Sequence, residues 1–269
     1  RSFALGGIDF HTHLAPAIEL ELPGVTLEGD RLVVDGHRVG LPGLYQPDGL
    51  RDHLRDLGLA EAVVSIPPPF FRQALSADDA QEWVRAANDG LARITEPHAE
   101  LRRLAYLPLE HPPVAAAEYE RVRADDAWSG VVASAGGGSE SLAGAALEPL
   151  WQALNDDARL VMLHPGSSPD TRLAEFYLAN LLGNPVETAV AAAQLVFGRV
   201  LTRWPRIRFM LVHCGGCVPG LVGRWERGVL TGRPGLVPLD EPPRRSVRRF
   251  FVDCLAHDPA VVDLAVEVF

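Results

Sequence analysis

The sequence predicts an α/β protein built as a (β/α)8 TIM barrel. Short apolar strands recur along the chain, most are followed by a segment with apolar residues at helical spacing, and three strands end in histidines. Strands without polar alternation must be covered on both faces, as parallel strands inside a ring of helices are. Functional side chains of such barrels lie at the carboxyl ends of the strands, where these histidines lie. A doubly wound sheet is the alternative, but it would need a glycine-rich turn after the first strand, and the sequence there is His-Thr-His-Leu-Ala-Pro.

The first strand ends in a His-x-His pattern at His11 and His13. Side chains alternate along a strand, so both imidazoles point to the same side, about 6 to 7 Å apart. One metal ion could be bound by both rings, since imidazole nitrogen binds zinc at about 2.0 to 2.1 Å. The other interpretation is a half-buried strand whose two histidines form hydrogen bonds with nearby carbonyl groups.

The loop after the first strand, residues 14–47, is long and contains a hairpin pattern. Pairs of apolar residues alternate on either side of the turn Glu28-Gly29-Asp30, as expected for two short antiparallel strands. We therefore predict a small hairpin insertion in the first βα loop of a single domain that covers residues 1–269.

The other elements alternate between strand and helix. Apolar runs predict strands at 62–66, 104–109, 130–133, 160–164, 207–212 and 250–254. Apolar residues at helical spacing predict helices at 48–58, 76–94, 113–124, 147–154, 186–204 and 259–269. With the first strand, this makes seven of the eight strands that a closed barrel needs. We therefore expect the native polypeptide to continue past Phe269 with an eighth strand.

The composition limits the chemistry and the partners. The formal net charge is −10 and there is no basic run, which argues against nucleic acid and anionic membranes as partners. None of the 25 basic residues is lysine, so a Schiff-base lysine and a P-loop lysine are excluded. No apolar run has the length of a membrane span, and three cysteines are too few for a disulfide framework. These features lead us to expect a cytoplasmic protein.

Three histidine motifs together resemble the amidohydrolase superfamily: His-x-His on the first strand, His164-Pro165 after the fifth, and His213-Cys214-Gly215-Gly216 after the sixth. More narrowly, they resemble its amidohydrolase-related branch, which includes the aminocarboxymuconate-semialdehyde decarboxylases. Further stretches match that branch: Leu182-Gly183-Asn184-Pro185-x-Glu187-Thr188-Ala189, Pro205-Arg206-Ile207, Gly223-Arg224, and Phe251-x-Asp253 through His257-Asp258-Pro259. The resemblance covers nearly the whole chain.

The resemblance implies a metal site with an acid/base group beside it. His11, His13 and His164 would bind one divalent metal ion, which we expect to be zinc, and His213 would transfer protons. Asp253 and His257, at the end of the seventh strand, are candidates to orient these groups by hydrogen bonds. A hydrogen bond at the rim of the barrel, unconnected with the metal, is the alternative for both.

The same resemblance implies that Arg38 and Arg224 bind the substrate. Two guanidinium groups can each hold a carboxylate through paired hydrogen bonds, so an acidic protein can still bind an acidic small molecule. In that branch the second arginine reaches the site of a neighbouring subunit. The resemblance therefore also implies a homodimer.

Two departures from the branch leave the reaction open. The decarboxylases have a tryptophan after the fifth-strand His-Pro, where this chain has Gly166, and their remaining metal ligand, an aspartate after the eighth strand, would lie beyond Phe269. Three functions remain: a nonoxidative decarboxylase of a small unsaturated or aromatic carboxylic acid, a metal-dependent hydrolase of an amide or lactone, and a non-catalytic metal-binding protein. The two arginines favour the decarboxylase, and Gly166 favours the hydrolase.

Overall fold

The computed structural model describes residues 6–19, 21–136, 138 and 141–269. The strands are β1 (Gly7–His13), β2 (Val25–Glu28), β3 (Arg31–Val34), β4 (His37–Arg38), β5 (Leu59–Ser65), β6 (Leu101–Tyr106), β7 (Trp128–Ser134), β8 (Leu160–His164), β9 (Arg208–Leu211) and β10 (Phe251–Val252). The helices are α1 (Pro47–Leu57), α2 (Ala77–Thr95), α3 (Pro112–Val122), α4 (Glu148–Asp156), α5 (Asn184–Phe197), α6 (Val200–Arg203), α7 (Val218–Leu230), α8 (Pro243–Val247) and α9 (Pro259–Val268). All seven strands predicted for the barrel are present.

The chain folds into two compact units, Arg1–Val132 and Ala133–Phe269. In the first unit, β1, β5, β6 and β7 are parallel neighbours in that order. The register places His13 opposite Ser65, the last residue of β5. Because the strands are parallel, their carboxyl ends and the loops that follow lie along one edge of the sheet.

In the second unit, β8, β9 and β10 are parallel neighbours in that order. The last residue of β9 lies opposite Leu163 of β8 and Val252 of β10. His164 and Asp253 directly follow the residues paired with Leu211, and His213 follows Leu211 by two positions, so all three lie at the same edge of this sheet.

The longest helix, α2, illustrates how the helices cover the apolar strands. Its first turn is capped by Ser76, whose side-chain oxygen accepts a hydrogen bond from the amide of Asp79 at 3.2 Å. Its buried face includes Trp83, which stacks on Phe70 with ring centroids 6.1 Å apart. The opposite face of α2 is polar. Among the described helices, none is both long enough and apolar enough to span a membrane.

The predicted hairpin insertion is present. Strands β2 and β3 pair antiparallel, with Val25 opposite Val34 and Leu27 opposite Leu32. Burial follows the alternation on β3, where Leu32 and Val34 are buried, but not on β2, where Leu27 on the same face is exposed. A third strand, β4, extends the sheet, and its two residues are too few to leave a pattern in the sequence.

The helix predicted at 186–204 is two helices, α5 and α6. Arg199 has a left-handed conformation, with φ of 62°, which ends α5. Gly198 before it packs so closely on Ala143 that a Cβ at this position would lie 2.1 Å from the alanine Cβ. The apolar spacing continues through the break, so the pattern alone does not reveal it. The pattern also fails to predict α7, which contains three glycines, and α8, which has five residues.

Candidate metal centre and catalytic groups

His11 and His13 lie side by side in the first unit. The register of β1 against β5 shifts between Asp9 and Thr12, because β1 has one extra residue there. The ring centroids of the two histidines are 5.2 Å apart, with the rings nearly perpendicular at 88°. Ser65 places its hydroxyl oxygen 3.0 Å from Nδ1 of His13. The two imidazoles are thus adjacent, as the His-x-His pattern predicts, and a neighbouring strand orients one of them.

His164 has the ring orientation of a metal-binding histidine. It is 4% exposed at the end of β8, and its Nδ1 lies 2.8 Å from the carbonyl oxygen of Pro165. A carbonyl can only accept, so Nδ1 carries the proton and Nε2 carries the lone pair that can bind a metal. Histidines that bind metals are commonly fixed in this way by a hydrogen bond from the other ring nitrogen. The donor chemistry of His164 therefore fits a metal ion.

His213 lies next to His164 in the second unit. Their ring centroids are 5.3 Å apart and the rings meet edge to face at 73°. His213 is half-buried and lies two residues after the end of β9, so its ring stands beside that of His164 at the carboxyl ends of the strands. The pair combines a group that can bind a metal with a group that can transfer a proton.

The backbone at His213 is held in an unusual conformation. His213 and Cys214 have φ of 56° and 52°, and Gly215 and Gly216 continue with φ of 74° and 59°. The left-handed region costs a non-glycine residue roughly 1 to 2 kcal/mol, so two such residues in a row need compensation. Asp253 provides it, because its carboxylate accepts hydrogen bonds from the amides of His213 at 2.9 Å and Cys214 at 2.7 Å.

The other residues expected in the site are more exposed. Arg38 lies on the two-residue strand β4 and Arg224 lies in α7, and both are exposed. His257 is also exposed, in the turn between β10 and α9, with φ of 58°. Asp253, another residue expected in the site, is hydrogen-bonded to His213, and it accepts this bond from the backbone amide of His213.

The sequence pattern does not single out Glu110, a titratable group that follows β6 by four residues. Burial raises the pKa of its carboxyl group to about 7, while the neighbouring His111 opposes this shift. Its Oε1 lies 3.4 Å from the hydroxyl of Tyr106, which also donates to the carbonyl of Phe71. Donation from this hydroxyl favours the charged carboxylate and so lowers the pKa of Glu110, but the effect of burial is larger.

The raised pKa of Glu110 predicts a pH-dependent stability. Between its ordinary pKa of 4.5 and the folded value of about 7, the folded chain keeps a proton that the unfolded chain loses. The free energy of unfolding should therefore fall as pH rises through this range. Glu110→Gln should remove the effect, so its stability relative to the unsubstituted chain should be about 2 to 3 kcal/mol better at pH 8 than at pH 5.

Urea unfolding at the two pH values measures this difference. Glu82→Gln, at an exposed position of α2, is the matched control and should leave the pH dependence unchanged. The prediction is wrong if the Glu110→Gln chain loses stability from pH 5 to pH 8 as steeply as the unsubstituted chain does.

The sequence of this chain is similar to those of known proteins. Residues 8–269 match a family model described as Amidohydrolase. A 2-amino-3-carboxymuconate-6-semialdehyde decarboxylase of Dictyostelium discoideum is 25% identical over 279 residues, an alignment that spans 97% of this chain and 77% of that protein.

Solved structures resemble the fold over almost the whole chain. The 5-carboxyvanillate decarboxylase of Sphingomonas paucimobilis aligns with a TM-score of 0.80 at 18% identity, over 98% of this chain and 85% of that one. A dihydroxybenzoic acid decarboxylase of Polaromonas, solved with bound manganese and the inhibitor 2-nitroresorcinol, aligns with a TM-score of 0.77 at 18% identity, over 98% of this chain and 82% of that one. At such identities the likeness concerns the fold, and it confirms the predicted α/β barrel class.

Proposed function

This chain belongs to the amidohydrolase family, and from that premise we propose that it is a metal-dependent nonoxidative decarboxylase of a small aromatic or unsaturated carboxylic acid. The observation that carries the proposal is the adjacent pair His164 and His213 at the carboxyl ends of neighbouring strands. One ring has the tautomer that binds a metal, and the other is positioned by its backbone. The Dictyostelium relative, aligned over most of both chains, is itself a decarboxylase.

The proposed metal is one divalent ion, and zinc is the ion that we propose. Imidazole nitrogens can hold a metal ion, and each unit contains two adjacent imidazoles, His11 with His13 and His164 with His213. In our assignment His11, His13 and His164 are the ligands. Imidazole nitrogen suits zinc well, although the Polaromonas relative holds manganese. When bound, the ion supplies a Lewis acid that draws electron density from oxygen atoms of the substrate.

His213 is the proposed proton donor. Its protonated ring transfers a proton to the carbon atom that bears the leaving carboxylate. The bond between that carbon and the carboxylate then breaks, its electron pair stays with the protonated carbon, and carbon dioxide leaves. His213 regains a proton from solvent. Asp253 has an indirect part in this scheme, since it holds the backbone that aims the His213 ring.

Arg38 and Arg224 are the proposed substrate-binding groups. A guanidinium group can hold a carboxylate by two parallel hydrogen bonds, and both side chains are exposed and so able to meet a ligand or a second chain. For Arg224 we propose that the ligand lies in the site of a second copy of the chain, which requires a homodimer.

A product assay tests the proposed reaction. The metal-loaded protein is offered a panel of aromatic acids, unsaturated dicarboxylic acids and lactones, and both carbon dioxide release and acid production are measured. We expect carbon dioxide in equal amount to the decarboxylated product for at least one acid. Acid production from a lactone without carbon dioxide would reject the decarboxylase in favour of a hydrolase.

Mixing experiments test the shared site. Arg224→Ala chains and His213→Ala chains should each have low activity, and their mixture should recover part of it, because a hybrid dimer contains one site with both residues intact. Arg227→Ala, three residues further along the exposed side of α7, is the control and should be active alone. If chains shown to exchange give no recovery, Arg224 does not serve a neighbouring site.

We also propose a cytoplasmic location. Cys214, Cys217 and Cys254 are free thiols in the structure. Burial raises the pKa of the Cys214 and Cys217 thiols, so both stay protonated and poorly reactive near neutral pH. Such thiols are typical of a reducing compartment. Fractionation of cells that express the protein, with the enzyme recovered from the cytosol, is the expected result.

A further inference from the structure

The first turn of α5 contains a buried carboxylate that the proposed reaction does not use. Glu187 is 8% exposed and lies in this turn. The amino end of a helix favours negative charge, but a carboxylate removed from water also needs hydrogen bonds. The residues that Glu187 contacts indicate its role.

One contact of Glu187 reaches the loop that follows β8. The hydroxyl of Ser168 donates to Oε1 of Glu187 at 2.7 Å. Ser168 comes four residues after His164, whose Nδ1 contacts the carbonyl of Pro165 in the same loop. The carboxylate of Glu187 is therefore bonded to the loop segment that fixes the ring of His164.

A second contact of Glu187 reaches the loop that follows β7. A Cβ on Gly136 would lie 2.2 Å from Oε2 of Glu187, so this approach is open to glycine alone. The segment is in turn tied to β7 and β8, because the hydroxyl of Ser134 donates to the carbonyl of Gly136 and the amide of Ala135 donates to the carbonyl of His164.

The same turn of α5 also contacts the loop that follows β9. The amide of Cys217 donates to the carbonyl of Pro185 at 3.2 Å. A Cβ on Gly216 would lie 2.4 Å from that carbonyl oxygen and 3.0 Å from Cβ of Thr188. The start of α5 thus touches the loops after three successive strands, including the loops that contain His164 and His213.

We propose that Glu187 is a positioning residue that holds the loop after β8 through Ser168 and so keeps His164 oriented to bind a metal ion. The inference rests on the proposed role of His164 as a metal ligand. Glu187 acts through Ser168 and the loop backbone. Glu187 therefore determines how well the histidine rings are oriented before the metal binds, while the histidines themselves bind the metal and transfer the proton.

Zinc affinity of the full chain tests the proposal, measured by competition with a chromophoric chelator. Glu187→Ala and Ser168→Ala should each weaken zinc binding about 10-fold to 100-fold, the usual effect of removing a group that orients a ligand. Glu187→Gln keeps an oxygen acceptor for Ser168 and should restore most of the affinity. Glu148→Ala is the control, because Glu148 is also in the first turn of a helix, α4, but pairs with Arg203.

The outcomes separate this inference from the proposed function. If the unsubstituted chain binds zinc and both alanine variants bind it equally well, the positioning role is wrong while the metal site stands. If the unsubstituted chain binds no zinc, the metal site and the positioning role are both wrong.

A second measurement depends on folding alone. Gly136→Ala should lower the melting temperature of the metal-free chain, and adding Glu187→Ala should recover part of the loss, because the atom that lies 2.2 Å from the new Cβ is then absent. If the decreases in melting temperature caused by Gly136→Ala and Glu187→Ala simply add in the double variant, the contact between the two residues is wrong. This comparison holds even if Glu187→Ala alone folds poorly.

Discussion

Replacing His213 with alanine is expected to lower turnover about 10²-fold to 10⁴-fold while the chain keeps most of its metal. This range is the usual contribution of a general acid or base. The ring lies 5.3 Å from that of His164 and is aimed by a turn bonded through its amide to Asp253, so removing it takes away a prepared proton donor. Steady-state turnover and metal content, measured on the same preparation, check this.

Two results would change the role of His213. His53→Ala, at an exposed position of α1, is the control and should match the unsubstituted chain in both measurements. A His213→Ala chain that loses metal and activity together would make His213 a ligand, an outcome with a structural basis because its ring nitrogens are among those that could hold a metal.

Replacing His164 with alanine is expected to abolish metal binding. His164 is buried, and the contact of Nδ1 with the carbonyl of Pro165 leaves the lone pair on Nε2. Alanine offers no atom that can bind a metal. The residues around position 164 cannot replace the lost ligand, because a metal site requires its ligands in a fixed geometry. Metal content after expression with added zinc should be near one equivalent in the unsubstituted chain and below about a tenth in the variant.

A conservative substitution separates loss of a ligand from loss of structure. His164→Asn keeps a polar side chain at a buried position, and its melting temperature without metal should be close to that of the unsubstituted chain. If either variant still binds a full equivalent of zinc, His164 is not a ligand and the proposed centre is wrong.

The features that the sequence predicts best are local. The seven barrel strands, the hairpin across Glu28-Gly29-Asp30 and the adjacent imidazoles of His11 and His13 all follow from spacing along the chain. The combination of histidine motifs also predicts the family, which the match over residues 8–269 confirms. Each of these depends on residues close together in the sequence.

The features that the sequence does not predict join distant residues. Asp253 meets the amide of His213 from 40 positions away, and Ser168 meets Glu187 from 19 positions away. The motifs name Asp253 and Glu187, but spacing cannot tell which atoms they touch. The break of the predicted helix at Arg199 depends on how Gly198 packs against Ala143, which is also a tertiary contact.

The left-handed turn at His213 makes the working geometry of the site depend on β10. The two amides that Asp253 holds lie beside β10, a strand of only two residues with Phe251 exposed. A strand of two residues has few backbone hydrogen bonds to hold it in the sheet, so β10 can open locally while the rest of the chain remains folded. When β10 opens, the hydrogen bonds from Asp253 no longer offset the free energy cost of the left-handed conformation at His213 and Cys214, and the turn relaxes. On heating, activity should therefore disappear at a lower temperature than the core unfolds.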